Sequence, residues 1–578
     1  MTAPRAAQLT LSVGQHSSAG RKPLNQDAHG AVVPPEPLLA ARGAALALAD
    51  GIGSSEVSHL ASRAAVAAFL TDYYATPDAW SVKTAAERVL AATNAWLYAQ
   101  TRQGSHDHDR GHVCTFSAMV VKAGTAHLFH VGDARIYRLQ GATLEQLTAD
   151  HRVWISPERS YLGRALGVQP HLEIDYRALT LDAGDVFLLA TDGVWEHVRG
   201  ADVRAAVDGE ADLDAAARRL VTRAFDNGSQ DNLSAQLVRI ESLQARELSA
   251  LLRQADELPP APSLGGRAEL DGLRIVRELH AGSRSHVWLA EEPDSGAPVV
   301  IKTPSTELAA DRALMERFLM EEWILGRIDS PHVLKPAAPG RRRSHLYVAT
   351  EYIEGCTLAQ WMRDHPRPGL DAVRAIVAQV AKGLRAFHRL EMLHQDLRPD
   401  NIMIDRGGTA RIIDVGAVSV AGVAEMGPQD EGWTLLGEAL HAAPEYFLGE
   451  RGTVRSEVFS LGLLAYRMLT GALPYGVEIP RASGRAGQRR LAYTPARAHD
   501  PAIPGWVDEA LRKALQIDPR KRHADVAEFV FDLHHPNPAF LERRRPALVE
   551  RDPLAFWKGL SLLLFLLLVA ALGLRQFA

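Results

Sequence analysis

Residues 44–53, Ala-Ala-Leu-Ala-Leu-Ala-Asp-Gly-Ile-Gly, begin as an apolar strand and end in an acidic turn. Four other short turns also place an aspartate directly after an apolar strand or beside a glycine, and their aspartates are Asp27, Asp133, Asp192 and Asp231. Hard divalent cations bind carboxylate oxygens, and two ions about 3.5–4 Å apart can activate a hydroxide for attack on phosphorus. An Asp-Gly pair alone is more often a plain turn. The metal-site interpretation therefore requires all five turns to meet, which spacing alone does not establish.

The residues around these turns, up to Ile240, alternate between strand-like and helical patterns. Period-two or continuous apolar runs predict strands at Ala44–Ala49, Phe116–Val121, Val186–Ala190 and Leu233–Ile240. Apolar residues three to four apart predict helices over Glu56–Tyr74 and Val82–Gln103. Gly141, between two short apolar runs, predicts a hairpin.

The order of six short motifs in this block resembles the metal-dependent (type 2C, PPM) protein serine/threonine phosphatases. The motifs are Asn25-Gln-Asp27, Ala49-Asp-Gly-Ile-Gly53, Gly132-Asp-Ala-Arg135, Leu147-Thr-Ala-Asp-His151, Thr191-Asp-Gly-Val-Trp195 and Gln230-Asp-Asn-Leu-Ser234. The resemblance covers residues 8–240 and implies a β-sandwich flanked by helices, with manganese or magnesium ions at one edge.

This resemblance also implies roles for individual residues. Asp50, Asp192 and Asp231 would be direct metal ligands together with the carbonyl of Gly51. Asp27 would hold a water molecule on the metal, and Asp133 with Asp192 would suit a third ion.

Several positions depart from the phosphatase pattern. Lys22, beside Arg21, stands where the family has a phosphate-binding arginine, and a lysine lacks the bidentate fork of a guanidinium. Gln26 replaces a glutamate, Ile52 stands where eukaryotic members have a histidine acid, and Val113-Cys114-Thr115 replaces Gly-Thr-Thr. Because every carboxylate position is filled, we expect an active enzyme.

A second block, from about residue 270 to 533, contains four motifs in an order that resembles protein kinases. They are Val299-Val-Ile-Lys302, His394-Gln-Asp-Leu-Arg-Pro-Asp-Asn401, Asp414-Val-Gly416 and Ala443-Pro-Glu445. The block opens rich in strands and becomes helical. One apolar helix face is predicted at Val373, Ile376, Val377, Val380, Leu384 and Phe387.

The kinase resemblance implies that catalysis depends on positioning and charge neutralisation. Lys302 would grip the α- and β-phosphates of ATP, Asp396 would orient the substrate hydroxyl, and Asn401 with Asp414 would hold Mg²⁺. The partner of Lys302 is Glu321 by alignment, with the neighbouring Glu322 as the alternative that only geometry can decide.

Other nucleotide contacts are expected at the hinge and at the loop that covers the phosphates. The hinge, Thr350-Glu351-Tyr352-Ile353, would receive the adenine. Gly282 and Val287 belong to the covering loop, in which only Gly282 of the three usual glycines remains, so ATP binding should be weakened.

Two further departures concern the catalytic loop. Gln395 replaces an arginine, so no basic residue there awaits an activation-loop phosphate. Arg398 replaces the lysine that is usual in serine/threonine kinases, and it keeps the charge but changes the reach. A pseudokinase that senses nucleotide or docks a partner is therefore an alternative to an active kinase. A scaffold in which both sites are inactive is a third hypothesis.

The C-terminal end carries a long apolar run. Residues 559–574, Gly-Leu-Ser-Leu-Leu-Leu-Phe-Leu-Leu-Leu-Val-Ala-Ala-Leu-Gly-Leu, contain no charge, and extension back to Leu554 gives enough length to span a bilayer. More basic residues precede this run than follow it, which predicts cytoplasmic catalytic domains on a single-pass inner-membrane protein.

Charge and cysteine content exclude other classes. Because 64 Lys+Arg oppose 69 Asp+Glu, no basic excess indicates nucleic-acid binding. The two cysteines, Cys114 and Cys356, exclude a disulfide framework and fit a reducing compartment.

We therefore expect an α+β multidomain chain that dephosphorylates and phosphorylates protein serine and threonine. Its expected partners are ATP, protein substrates bearing Ser/Thr or their phosphates, and the membrane, without nucleic acid. The expected segments are 5–242 (PPM-type β-sandwich), 243–268 (linker), 269–535 (bilobal kinase fold), 536–553 (basic juxtamembrane segment) and 554–574 (transmembrane helix).

Overall fold

The computed structural model of the 578-residue chain describes most of its length. The described residues are 9–104, 110–140, 143–156, 159–210, 212–243, 258–262, 264, 268–282, 285–293, 295–305, 312–337, 343–425, 439–482, 484–538, 556–564 and 566.

The N-terminal domain contains two five-stranded antiparallel sheets. The first has the order β1-β12-β11-β6-β7, with β1 Thr10–Ser18, β6 Arg135–Gln140, β7 Thr143–Gln146, β11 Val186–Ala190 and β12 Leu233–Ser242. The second has the order β10-β5-β4-β3-β2, with β2 Asp27–Val32, β3 Ala44–Asp50, β4 Phe116–Lys122, β5 Thr125–Val131 and β10 Asp175–Thr180. A separate two-stranded ribbon consists of β8 Arg152–Ser156 and β9 Arg159–Leu162.

Alternation of side chains along β3 shows why the two sheets stack. Ala45, Ala47 and Ala49 pack with helix residues such as Phe69. The residues between them pack with the other sheet, whose contributions include Phe187. Because strand residues alternate between faces, a continuously apolar strand lies in the middle of the layers. The outer face of the first sheet is covered by further helices, so the layers are helix, sheet, sheet, helix. The predicted β-sandwich flanked by helices is confirmed.

The helices of this domain match the two that were predicted and add shorter ones. They are Leu38–Arg42, Ser58–Ala75, Val82–Gly104, Asp192–Trp195, Gly200–Gly209 and Leu213–Asp226. The four predicted strands are also confirmed. The hairpin predicted at Gly141 has its flanking strands, β6 and β7, paired, whereas residues 141–142 lie outside the described residues.

The C-terminal domain has two lobes. The first lobe is a five-stranded sheet, β13-β14-β15-β16-β17, formed by Glu269–Leu270, Leu273–Ala281, Ser285–Glu291, Pro298–Pro304 and Val348–Glu351. The helix Arg312–Leu325 packs with it. Leu264 and the backbone of Pro259, in the expected linker, pack on this lobe: Pro259 O accepts from Leu346 N at 2.8 Å.

The second lobe is mainly helical. Its small sheets contain β18 Gly355–Thr357, β19 Met392–Leu393, β20 Ile402–Asp405, β21 Ala410–Ile412 and β22 Ser419–Val420. Its helices are Leu358–Asp364, Leu370–Arg389, Ala421–Ala424, Val454–Thr470, Arg485–Gln488, Ala496–His499, Gly505–Ala514 and Val526–His534, with 3₁₀ turns at Pro399–Asn401, Pro444–Leu448 and Pro519–Lys521. All six predicted apolar positions of helix Leu370–Arg389 are buried. The bilobal prediction is confirmed.

Only part of the predicted transmembrane segment is described. Residues 556–564 are helical, but 554–555, 565 and 567–574 lie outside the described residues. Within the described ranges, no helix has the length and apolar character that a membrane span requires.

Candidate active sites

The first candidate site lies at one edge of the N-terminal sandwich, where the five predicted aspartates are placed at strand ends. Asp27 begins β2 and Asp50 ends β3, and the two are register partners across the pair. Asp192 directly follows β11 and Thr191, Asp231 shortly precedes β12, and Asp133 connects β5 to β6. The antiparallel order of the sheets thus gathers residues that are up to 204 positions apart in the chain.

Asp27 is buried and accepts two hydrogen bonds through one oxygen. Its Oδ2 accepts from Ser234 Oγ at 2.7 Å and from Thr191 Oγ1 at 3.1 Å, while its Oδ1 is buried without a hydrogen-bond partner. Burial raises the pKa of Asp27 to about 6, although the Ser234 hydroxyl opposes the shift. The unsatisfied oxygen and the raised pKa both indicate a carboxylate that lacks a positive partner.

The pKa values of Asp50 and Asp192 are also raised. Burial, followed by the charges of Asp27 and Asp192, raises the pKa of Asp50 well above its ordinary value. Burial, followed by the charges of Asp133 and Asp231, raises the pKa of Asp192 to about 7. Asp192 Oδ1 is also buried without a hydrogen-bond partner. Carboxylates crowded in this way favour bound protons or cations.

The donor set fits a hard divalent cation in its chemistry. Oxygen donors with two unsatisfied buried atoms are what Mg²⁺ or Mn²⁺ prefers. Among the described residues, however, no group of three or more His, Cys, Asp or Glu side chains is arranged to hold a metal ion.

Arg152, which the sequence analysis did not single out, lies between two of these carboxylates. Its Nε donates to Asp133 Oδ2 at 2.7 Å and its Nη2 donates to Asp192 Oδ2 at 2.9 Å, with Glu196 as a third acidic partner at 3.1 Å. Asp133 and Asp192 are the pair expected to hold a third ion, so a guanidinium occupies the place between them. The available signal was a basic residue directly after the Leu-Thr-Ala-Asp-His motif.

The two basic residues expected to bind phosphate are placed differently. Lys22 forms an ion pair with Asp231, and its Nζ lies near Gly53 of the acidic turn. Arg21 instead stacks 4.3 Å from the ring centroid of Phe225 and donates to the carbonyls of Phe225 and Ser229. The structure therefore brings Lys22, and not Arg21, to the aspartates.

Gly51 and Gln26 hold the acidic turn against the start of helix Ser58–Ala75. A Cβ at Gly51 would lie 2.8 Å from the Ser58 carbonyl group, so only glycine fits against the start of helix Ser58–Ala75. The Gln26 amide donates to Ser55 O at 2.8 Å and to Ser58 Oγ at 2.7 Å. Gln26 thus fixes the backbone beside Asp27.

The second candidate site lies between the lobes of the C-terminal domain and centres on Lys302. Its Nζ lies 2.8 Å from both carboxylate oxygens of Glu321 and 3.4 Å from Asp414 Oδ1. Burial lowers the pKa of Lys302, but the charges of Glu321 and Asp414 outweigh this effect and raise it above its ordinary value. The alternative partner, Glu322, pairs with Arg343 at 2.5 and 2.6 Å, so geometry selects Glu321.

Asp414 is held ready as a carboxylate. The ammonium of Lys302 lowers its pKa to about 2 despite burial, and Gly416 N donates to its Oδ1 at 3.1 Å. A Cβ at Gly416 would lie 2.9 Å from Glu321 Oε1, so the glycine leaves room for the three charged groups.

Asn401 and Asp396 are joined in the catalytic loop. Asn401 Nδ2 donates to the backbone oxygen and to Oδ2 of Asp396, both at 2.9 Å. Arg398 Nε lies 3.7 Å from the same Asp396 oxygen.

Glu457, in helix Val454–Thr470, holds the backbone of this loop. Its buried carboxylate accepts from the backbone N–H groups of His394 and Gln395, and it contacts the His388 ring. Gln395 has a φ of +65°, a conformation that costs energy outside glycine and needs such support.

The residues expected to contact the nucleotide lie on the strands of the first lobe and directly after them. Val287 is the register partner of Lys302, and Gly282 N donates to Ser285 O at 3.0 Å. Ile353 is buried, and Glu351 accepts from Lys335 N and from Arg411. Residues 283–284 of the covering loop lie outside the described residues.

Comparison with known proteins gives two family matches. The description "Protein phosphatase 2C" matches residues 15–240, and "Protein kinase domain" matches residues 273–532. Serine/threonine-protein kinase pkn2 of Myxococcus xanthus is 32% identical over 216 residues, which are 37% of this chain and 26% of that protein. Serine/threonine-protein kinase PknL of Mycobacterium tuberculosis is 30% identical over 271 residues, 46% of this chain and 66% of that protein.

Solved structures are also similar to part of the chain. The structure titled "PppA, a key regulatory component of T6SS in Pseudomonas aeruginosa" is 24% identical, covers 41% of this chain and all of its own, and has a TM-score of 0.35. The chain covers 26, 37, 40 and 42% of the length of the first four curated relatives.

Replacement of Asp50 by asparagine should raise the unfolding temperature of the metal-free chain at pH 8. Because the folded state raises the pKa of Asp50, its charge destabilises the fold only above the ordinary aspartate pKa of about 4. The gain should exceed about 2 °C, the shift that about 1 kcal/mol produces in a domain of this size. It should shrink to nothing as the pH falls to about 4.

Calorimetry of the full chain in EDTA from pH 4 to 8 would measure this effect. Asp182→Asn is the matched control, since that side chain is 87% exposed. An unfolding temperature of Asp50→Asn at or below that of the wild type at pH 8 would contradict the electrostatic account.

Replacement of Glu321 by glutamine should lower the rate of phosphate transfer from ATP by roughly 10²-fold, because a misplaced Lys302 loses its alignment with the phosphates. Glu322→Gln is the matched control and should stay close to the wild-type rate. Initial rates with radiolabelled ATP compare the two variants, and equal losses would show that the pairing with Lys302 is not what matters.

Proposed function

This chain joins a protein phosphatase 2C domain to a serine/threonine-type protein kinase domain, and we propose that both are catalytically active on proteins. The observation that carries the proposal is the assembled ion pair between Lys302 and Glu321, with Asp414 beside it, in a chain whose other domain gathers five aspartates. The kinase domain would phosphorylate protein serine or threonine, and the phosphatase domain would hydrolyse the resulting esters.

In the kinase domain, the residues divide into binding and positioning groups. Lys302, oriented by Glu321, would bind the α- and β-phosphates, and Asn401 with Asp414 would hold Mg²⁺, which neutralises charge on the transferred group when bound. Asp396 would accept a hydrogen bond from the attacking hydroxyl. Arg398, close to Asp396, would stabilise negative charge on the transferred phosphoryl group.

In the phosphatase domain, Asp50, Asp192, Asp231 and the Gly51 carbonyl would hold Mn²⁺ or Mg²⁺. Such ions, when bound, polarise the phosphate and activate water. Asp27 has the orientation to accept a hydrogen bond from a water molecule, since Ser234 and Thr191 fix its other oxygen. Lys22 would contact the substrate phosphate as a point charge.

The two activities are proposed to act on the same chain. A short linker raises the effective concentration of each site near the other's product. A phosphate that the kinase domain places on this chain would therefore be removed quickly by the phosphatase domain.

Label accumulation would test this cycle. With radiolabelled ATP and Mg²⁺ or Mn²⁺, the Asp192→Asn chain should accumulate phosphate on serine or threonine, whereas the wild type should retain little. Asp192→Asn combined with Asp396→Asn is the control that should remain unlabelled. Absence of label in all three, together with measurable ATP binding, would instead favour a nucleotide-sensing or docking module, the reading that His280 and Ser285 at two glycine positions supports.

We also propose that residues 554–574 anchor the chain in the inner membrane with both domains in the cytoplasm. The support is the uncharged run at 559–574 and the excess of arginine and lysine before it.

Carbonate extraction of cell membranes would test the anchor. The full chain should remain in the membrane pellet, because a spanning helix resists extraction. A chain with Leu564→Asp and Leu567→Asp should move to the supernatant, because each charge at the centre of a span costs about 2.5–3.5 kcal/mol. Recovery of the unaltered chain in the supernatant would refute the proposal.

A further inference from the structure

One loop of the phosphatase domain packs against three parts of the kinase domain. This segment, residues 77–84 and called the docking loop below, comprises the connection after helix Ser58–Ala75 and the first residues of helix Val82–Gly104. Its Ala79 is buried within the hydrophobic core of the kinase domain. A loop residue that belongs to another domain's core indicates a specific interface.

The first contact is with the activation segment, shortly after Asp414-Val-Gly416. Gly422 N donates to Ala79 O at 2.9 Å, and a Cβ at Gly422 would lie 2.6–2.9 Å from the carbonyl oxygens of Asp78, Ala79 and Trp80. The two backbones thus touch directly, and only glycine permits that approach.

A buried lysine of the phosphatase domain reinforces this contact. Lys122, at the end of β4, has a side chain that is 1% exposed. Its Nζ donates to Gly422 O at 2.7 Å and pairs with Glu425 at 3.1 Å, and Glu425 also accepts from Val82 N at 3.0 Å. A buried ammonium is tolerated only when it is paired and hydrogen-bonded, so Lys122 requires the activation segment as its partner.

The second contact is with the turn that leads into the catalytic loop. Glu391 accepts from Ser81 N at 2.7 Å, Ser81 Oγ at 2.9 Å and Thr84 Oγ1 at 2.6 Å. Trp80 Nε1 donates to Arg389 O at 2.8 Å. Glu391 O in turn accepts from Ala421 N, which links this turn to the activation segment.

The third contact is with the end of helix Arg312–Leu325, the helix that carries Glu321. Arg327 forms a bidentate pair with Asp78, at 3.0 and 2.8 Å. It also stacks on Trp323 at 3.7 Å, so the guanidinium is held in one orientation. The docking loop therefore contacts both elements, helix and activation segment, whose positions bring Glu321 and Asp414 to Lys302.

The interface lies away from the phosphatase site. Lys122 is beside Gly43, at the start of β3, whereas Asp50 ends the same strand. Seven residues at about 3.3 Å each separate the two by roughly 23 Å. The docking loop and Lys122 therefore contact the kinase domain at the end of β3 that is opposite to the aspartates.

We propose that the docking loop and Lys122 form a docking surface for the kinase domain of the same chain, and that this contact holds the arrangement of Lys302 with Glu321 that binds ATP. The inference rests on the proposed kinase activity for its effect on phosphate transfer. Kinase turnover then depends on the body of the phosphatase domain and not on its catalytic aspartates.

Charge reversal at one contact, with rescue at its partner, tests this proposal in the full chain. In an Asp192→Asn background, Asp78→Arg should lower ATP affinity and autophosphorylation by about tenfold, since it places like charges together. Addition of Arg327→Asp should restore both to within about threefold, because the opposite charges meet again. Glu391→Ala, which removes three hydrogen bonds at a separate contact, should lower both as well.

Two controls separate undocking from misfolding. Glu450→Arg breaks an exposed ion pair with Arg485 elsewhere in the kinase domain and should leave ATP affinity and labelling unchanged. In a chain that keeps Asp192, Asp78→Arg should leave the rate of p-nitrophenyl phosphate hydrolysis with Mn²⁺ within about twofold of the wild type. The reason is that the aspartate site lies at the far end of β3.

Hydrogen exchange gives a readout that does not depend on catalysis. Asp78→Arg should speed amide exchange in residues 419–425, and the charge swap should slow it again. Unchanged exchange and ATP affinity in Asp78→Arg and Glu391→Ala, or a loss that the swap does not restore, would overturn the proposal. Absence of label in the Asp192→Asn chain itself would instead refute the proposed kinase activity, while exchange and ATP affinity still decide the docking.

Discussion

Buried carboxylates that need a positive partner determine how both domains of this chain are built. In the kinase domain the partner is supplied internally: Lys302 lies between Glu321 and Asp414, and its charge keeps Asp414 ionised. Removal of a carboxylate from water costs several kcal/mol unless such a partner is near. Helix Arg312–Leu325 brings Glu321 to the lysine, and the turn after β21 brings Asp414.

The phosphatase domain meets the same requirement only in part. Arg152 pairs with Asp133 and Asp192, and Lys22 pairs with Asp231, yet burial still raises the pKa values of Asp27, Asp50 and Asp192. The carboxylates that lack sufficient positive charge are those where a divalent cation would bind. Arg152 supplies one positive charge between Asp133 and Asp192, the pair at which the resemblance implies a third ion.

Apolar periodicity predicted individual strands and helices because it follows burial. The sandwich and the bilobal fold were predicted from the resemblance of the motifs to two families. Spacing alone did not establish that the five aspartates meet, and it was the order of the motifs, through the family resemblance, that predicted it. In the structure each of them lies at or beside an end of a strand. Side-chain partners could not be predicted in the same way. Glu321 and Glu322 are neighbours in the chain, and only the position of Arg343, 21 residues beyond Glu322, separates their roles. Arg152 was missed because a basic residue after a motif has no periodic signal.

The contact between the two domains could not be predicted from the sequence for a related reason. In the sequence, Lys122 is the polar residue at the end of an apolar strand. The neighbouring residues do not predict a contact with Glu425, which is 303 positions away. The place of this contact bears on how the two proposed activities could act in one chain. If the docking loop held the kinase domain through the aspartate edge, each activity would block the other. Since Lys122 lies at the other end of β3 from Asp50, its contacts with the kinase domain do not use the strand end that carries the aspartates.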